Sequence, residues 1–356
     1  MYNRCNGFDW EQPDRSLPPA RKYRAKHGLL PQRLGHTNPL RINELLCHNV
    51  VVDPAARAGP VANCLSLHSM KPPSHIPPRP QAQAPFAYRA ATALVSAVPR
   101  SWLWILGRAA GLIHCASAGE KRRNYMSNLS QLTNKKHDIR PWRAFQNHSM
   151  NLLELLGAAR QSDEQILSRI HLRGAGHIDE ALRAGRGLIL ATIHTGNWEL
   201  AGLLLAKSGY PVTTVAGVQL REGWSDQIKA FKERFGISIV SAQASMRQLY
   251  RDLRSNRVVV LHVDGDVFRG GVRANLLGKT IVVPRGPARL SRVLQAPSAF
   301  AYCWRSGDDQ LTVTIERSNP PPSDEDGENQ LTQSYVRRLE KCILEDPAQW
   351  CIFRKL

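Results

Sequence analysis

The sequence predicts an α/β fold. A largely parallel central sheet is flanked by helices and preceded by a helical region and a disordered N-terminal extension. Three observations predict it. From His171 onward, short runs rich in Val, Ile and Leu alternate with helical stretches. Those runs are apolar throughout, the mark of parallel strands buried on both faces. The helical stretches stop at Gly209, Gly236 and Asn256, residue types that tolerate the left-handed turn at a helix C-terminus. With 356 residues, 42% of them hydrophobic, the chain can bury a large core.

Residues 1–89 hold 13 of the 23 prolines, with 12 Lys/Arg against 5 Asp/Glu. The stretch PPSHIPPRPQAQAP (72–85) forms neither a helix nor a central strand, because proline fixes φ and lacks a donor. These residues read as a disordered extension, and Met70 offers an alternative start within it. The first 30 residues are polar and basic, without the apolar stretch of a secretory signal.

Residues 90–356 read as the functional domain, whose part from 90 to 165 is helical. It contains SWLWILGRAAGLIHCASA (101–118), EKRRNYMSNLSQL and PWRAFQNHSMNLLELLGAAR. The first is broken by Arg108 and His114 and does not read as a membrane span. Two readings stand. One is an interfacial helix with Trp102 and Trp104 at the headgroup boundary; the other is a core helix whose Arg108 snorkels.

The strands then follow as GLILATI (187–193), YPVTTVAG (210–217), ISIVS (237–241), VVVLHV (258–263), AFAYCW (299–304) and LTVTIE (311–316). Between them, WELAGLLLAKSG, EGWSDQIKAFKERFG, ASMRQLYRDLRSN and PARLSRVLQ read as helices.

The formal net charge of +19 points to an anionic partner: nucleic acid, an anionic membrane surface, or an acidic or phosphate-bearing substrate. Seven scattered cysteines contain no CxxC pair, which supports neither a disulfide framework nor a zinc site.

The chemistry concentrates in ATIHTGNWELAG (191–202). His194 falls at the C-terminal end of a buried strand, the sheet edge where α/β folds bind ligands. Asn197 reads as the N-cap of a helix starting at Trp198, with Glu199 in its first turn. Gly196 permits the tight turn and bares backbone amides. The expectation is a base, His194, oriented by Glu199, with amide donors for a developing oxyanion. The bland alternative is a capped helix beside a hydrogen-bonded histidine. No serine or cysteine lies in the stretch, so base catalysis on an incoming hydroxyl fits better than a covalent route.

Asp264 and Asp266 follow another buried strand and belong at the same sheet edge as His194. They read either as site residues or as a solvated turn. Arg285 opens a helix whose N-terminus suits an anion. His262, inside a strand, reads as a satisfied core histidine, and Cys303 and Cys342 as packing residues.

HTGNWE resembles the HxxxxD/E motif of the glycerolipid acyltransferase superfamily. More narrowly, it resembles the H-x-G-N-W-E motif of the bacterial lipid A biosynthesis acyltransferase family. The resemblance extends through RRNYMSNL (122–129), FKERFG (231–236), VVVLHVDGD (258–266), TIVVPRGPARLS (280–291) and DPAQWCIFRKL (346–356). It implies His194 as base on an acceptor hydroxyl that attacks an acyl thioester, with Glu199 holding the ring. It also implies Asp264, Arg234 and Arg285 in substrate contact beside Gly196 and Asn197, and no metal or bound cofactor. The donor would be an acyl carrier protein or coenzyme A thioester, and the acceptor a lipid or glycolipid. The site of action would be the cytoplasmic face of a bacterial inner membrane, with the protein peripheral or monotopic there and no nucleic-acid partner. Two stretches depart from the family, Asp264-Gly265-Asp266 in place of Asp-Gln and Leu276-Leu277-Gly278 in place of Phe-Phe-Gly. Lipid A as the acceptor therefore does not follow. Two competing classes remain: a metal-dependent glycosyltransferase using Asp264-Gly265-Asp266, and a non-catalytic basic membrane or nucleic-acid binder.

Overall fold

The computed structural model describes residues 85–130, 139–216, 224–241, 246–265, 270–307, 310–317 and 319–356. The extension up to residue 84 and Asp266 fall outside these. Four helices come first: α1 (Phe86–Ala97), α2 (Arg100–Ser117), α3 (Gly119–Asn128) and α4 (Pro141–Ala158). α1 thus begins inside the stretch expected to be extension up to residue 89. Pro85 precedes it, where a missing backbone donor costs nothing.

α2 has two apolar faces. Leu103, Gly107, Gly111 and Cys115, four residues apart, are buried. Leu103 packs in a cluster with Tyr88, Val95 and Leu156 of α1 and α4. Trp102, Ile105, Leu106, Leu112 and Ile113 on the other side are exposed. Arg108 lies over the Trp104 ring at 5.6 Å. One side of this helix is thus packed into the fold and the other is exposed. Among the described residues, no helix is long and apolar enough to cross a membrane.

The α/β part runs α5 (Asp163–Leu167), β1 (Ile170–Arg173), α6 (Ala175–Leu182), β2 (Leu188–Thr192), α7 (Trp198–Lys207), β3 (Val212–Ala216), α8 (Trp224–Arg234), β4 (Ser238–Ser241), α9 (Met246–Arg254) and β5 (Val258–His262). Then come β6 (Val272–Leu276), β7 (Lys279–Val283), α10 (Gly286–Leu294), β8 (Ser298–Ser306), β9 (Gln310–Ile315) and α11 (Glu325–Glu345). The seven-stranded sheet has the order β1-β9-β8-β2-β5-β3-β4. Only β8 and β9 pair antiparallel within it. β2 sits at its centre, and all five of its residues are buried. Leu188 and Leu190 pack with Leu200, Leu203 and Leu204 of α7 on one face. Ile189 packs with Leu249, Leu253 and Leu290 of α9 and α10 on the other. That two-sided burial is why the run reads as continuously apolar.

Besides the edge strand β1 and the helix α6 after it, two larger features lie outside the sequence expectations. β6 and β7 form a separate antiparallel hairpin, closed by Leu277 and Gly278, both with positive φ. A mirror-type two-residue turn normally announces itself by Asn-Gly or Asp-Gly, and Leu-Gly hides it. The 21-residue α11 is capped by Asp324, which accepts from the Gly327 amide at 2.8 Å. It buries Leu331, Tyr335, Leu339 and Cys342 at helical spacing.

Candidate active site

β2 and β5 are adjacent and parallel, in a register that sets Thr192 beside His262. Two residues further along each chain come His194 and Asp264, so the register delivers them to the same edge side by side. The contact is twofold. The ring Nδ1 of His194 lies 2.8 Å from Asp264 Oδ1, and the His194 amide donates to Oδ2 at 2.7 Å. The indole Nε1 of Trp350 donates to Oδ2 at 3.0 Å. Burial alone would raise the Asp264 carboxyl, but the His194 charge and hydrogen bonds outweigh it and hold the group well below the usual carboxylate range. An ionised Asp264 accepts from Nδ1–H, which leaves the lone pair on Nε2.

The expectation that Glu199 orients the ring is therefore corrected. The Glu199 carboxylate is ion-paired with Lys232 of α8, and Asp264 occupies the ring nitrogen. Asn197 does cap α7, accepting from the Leu200 amide at 3.3 Å. However, it is fully buried and donates to Glu154 Oε2 at 2.8 Å, so it shapes the turn and has no surface to offer a substrate. Gly196 has φ +54, and a Cβ there would lie 2.6 Å from the Cys303 carbonyl oxygen. Its amide donates to the Gln349 carbonyl at 3.3 Å, and the Thr195 amide to that of Ile193 at 2.9 Å. The Thr195 and Gly196 amides are thus taken, whereas those of Trp198 and Glu199 at the start of α7 have no partner among the described residues.

Arg285 pairs with Glu328 at 3.3 Å, which ties the start of α10 to α11 and uses the charge expected to meet an anion. Arg234 is exposed and stacks over Phe231 and Phe235 at 5.1 and 5.2 Å. Burial pushes the Cys303 and Cys342 thiols up to about 12, so both act as apolar filler.

His262 is not a satisfied core histidine. Its ring stacks on His194 with centroids 4.0 Å apart, and its buried Nε2 has no partner among the described residues. Burial, and then electrostatic repulsion from the neighbouring His194 ring, hold it neutral, well below the ordinary imidazole value. Trp198 closes the His194 ring from another side, edge-on at 4.9 Å.

Behind the turn lies a buried polar network that the sequence did not announce. Arg305 of β8 grips Glu154 of α4 with two parallel bonds of 2.9 and 2.7 Å and donates to Asn151 Oδ1 at 2.8 Å. Asn151 in turn donates to the Gly196 carbonyl. Gln349 brackets the Arg305 backbone with bonds of 3.2 and 2.9 Å. The network clamps α4, β8 and the C-terminal segment onto the loop that carries His194.

The profile of bacterial lipid A biosynthesis acyltransferases matches residues 78–356. The chain belongs to that family. Among curated proteins it is similar to the phosphatidylinositol mannoside acyltransferase of Mycobacterium tuberculosis strain CDC 1551 / Oshkosh, with 31% identity over 219 residues, 59% of this chain and 65% of that protein. The protein of the same name from strain ATCC 25618 / H37Rv is 31% identical over 199 residues, 54% of this chain and 59% of its own. That of Mycolicibacterium smegmatis is 31% identical over 178 residues, 49% of this chain and 58% of its own. The chain thus spans about three fifths of the length of these relatives. Family membership weighs against the glycosyltransferase reading, and so does the geometry: both Asp264 oxygens already accept hydrogen bonds from His194 and Trp350.

Proposed function

We propose that the protein transfers a fatty acyl group from a thioester to a hydroxyl of a glycolipid, with His194 as general base. The observation that carries this is the His194–Asp264 pair at the C-terminal edge of the sheet. With Nδ1–H fixed on Asp264, Nε2 takes the proton of the acceptor hydroxyl as its oxygen attacks the thioester carbonyl. The tetrahedral intermediate then expels the thiolate, which takes that proton back from His194 as the ester forms. Asp264 stabilises the transient imidazolium and keeps the ring in the productive tautomer, as in other base-orienting pairs. Among the first amides of α7, those of Trp198 and Glu199 take no partner among the described residues and are the donors at hand for the oxyanion. The chemistry requires no metal.

The names of the relatives support a glycolipid acceptor. The donor is an acyl carrier protein or coenzyme A thioester, and the strong positive charge suits an acidic carrier and an anionic membrane alike. The exposed side of α2, with Trp102 and Ile113, supports action at a bilayer surface.

Mass spectrometry tests the reading. The full chain, incubated with palmitoyl-coenzyme A or palmitoylated carrier protein and phosphatidylinositol mannoside, is expected to add one palmitoyl ester, unaffected by a chelator. No acylated product from either donor, or a chelator-sensitive transfer of sugar instead, would overturn it.

A further inference from the structure

The last seven residues form a strap across the site. The Cys351 amide donates to the His194 carbonyl at 2.9 Å, and Trp350 pairs with Thr195 in an isolated antiparallel bridge. From the other side, two asparagines of α3 hold the strap's backbone. Asn124 donates to the Phe353 carbonyl at 3.3 Å and Asn128 to that of Arg354 at 2.8 Å. Asn128 also accepts the Leu356 amide at 3.1 Å. The RRNYMSNL motif therefore fixes the position of Arg354.

That fixed backbone lays the Arg354 guanidinium across Gly265, next to Asp264. A Cβ at Gly265, where φ is +155, would lie 2.1 Å from Arg354 Nη2. The glycine is what makes room for the side chain. Several other guanidinium groups of this domain face carboxylates: Arg305 faces Glu154, Arg285 and Arg292 face Glu328, and Arg338 faces Glu316. Arg257 and Arg122 donate to carbonyls instead. Lys232 is matched by Glu199. Arg354 is only partly exposed and has no carboxylate partner among the described residues. Asp264 does not serve as one, since its oxygens are taken by His194 and Trp350. The charge of Arg354 is nonetheless felt by His262, the ring stacked on His194. A partly desolvated guanidinium left unmatched beside a reacting centre is costly unless an anion completes it.

We propose that Arg354 is a substrate-binding residue that takes phosphoryl oxygens. It rests on the acyl-transfer reading for what the substrates are. The planar fork of arginine suits a phosphate bidentately. That phosphate belongs either to a phospholipid-based acceptor or to the pantetheine-bearing donor.

Two binding probes, both independent of turnover, separate the sources. Calorimetry with coenzyme A reads the donor side, and co-sedimentation with phosphatidylcholine vesicles containing phosphatidylinositol mannoside reads the acceptor side. Arg354→Gln is expected to weaken one of them tenfold or more with the melting temperature unchanged, and Arg354→Lys to restore part of the loss. The arm that weakens identifies the source. Gly265→Ala, which displaces the guanidinium while retaining the arginine, is expected to weaken the same arm and keeps the test open if Arg354→Gln folds poorly. Wild-type protein that binds neither probe, or variants within twofold of wild type in both arms, overturns the proposal. Wild-type protein that binds and responds in this way but transfers no acyl group sinks the acyl-transfer reading alone.

Discussion

His194 and Asp264 meet twice, through the ring at 2.8 Å and through the backbone amide at 2.7 Å. One carboxylate therefore fixes both the loop and the imaginary axis about which the ring would turn. Asp264→Asn keeps the size but loses the acceptor that selects the tautomer, and is expected to lower kcat by about 10²–10⁴-fold. Glu199→Gln removes only the ion pair with Lys232 and is expected to cost less than about tenfold. Steady-state rates of the two variants, with circular dichroism to confirm folding, check the ranking. A larger loss in Glu199→Gln would return the orienting role to that residue.

Trp350 is fully buried, and its indole donates to a buried carboxylate. A hydrogen bond to a charged group contributes about 1.5–3 kcal/mol. Trp350→Phe, which removes the donor and leaves most of the ring, is expected to lose about that much stability by urea unfolding. Unchanged stability would mean that the Asp264 oxygen finds another donor.

Arg305 and Glu154 form a pair with both side chains almost wholly buried. Removing Arg305 leaves the buried Glu154 only a looser pair with Arg100 at 3.5 Å. Stranding a buried charge costs about 3–5 kcal/mol, whereas replacing both partners with apolar groups costs far less. Arg305→Met is therefore expected to destabilise strongly, and Arg305→Met with Glu154→Leu to recover much of the loss. Denaturant midpoints of the single and double variants check it; equal or additive losses would contradict the pairing.

Much of the fold was legible because burial leaves a trace in one dimension. The strand through Leu188–Thr192 is apolar because helices cover both of its faces, and the helices end at Gly209, Gly236 and Asn256 in the left-handed conformation. His194 was legible too, as a polar residue where the apolar run stops. Chain proximity points to Glu199, five residues away, as the partner of His194, and the fold places Asp264 there instead. Asp264 becomes the nearer one only when β2 and β5 are known to be neighbours, and strand order is not written in local pattern. Arg305–Glu154 and Trp350–Asp264 join residues 151 and 86 positions apart, so no local spacing marks them.

His148 and His262 predict a pH dependence of stability. Burial first, then the charges of His114, Lys121 and His194, push the His148 imidazole down to about 4. His262 is also lowered. Unfolded, both rings would take a proton near pH 6.5. Below that pH the unfolded chain binds more protons than the folded one, so stability falls as the pH drops from about 6.5 toward 4. Each histidine contributes at most about 1.4 kcal/mol per pH unit in that window. Unfolding midpoints at three values across it are expected to fall for the wild type and to fall less steeply for His148→Gln. Parallel slopes would show that His148 is protonated in the folded protein.

The most direct test of the central claim is the single-turnover rate of palmitoyl transfer from palmitoyl-coenzyme A to phosphatidylinositol mannoside by His194→Ala. His194 lies at a strand end with its ring partly exposed, so the variant is expected to stay folded. A positioned base contributes about 10²–10⁴-fold, and the rate is expected to fall by that factor. A folded His194→Ala protein that retains more than about a tenth of the wild-type rate would show that the base lies elsewhere.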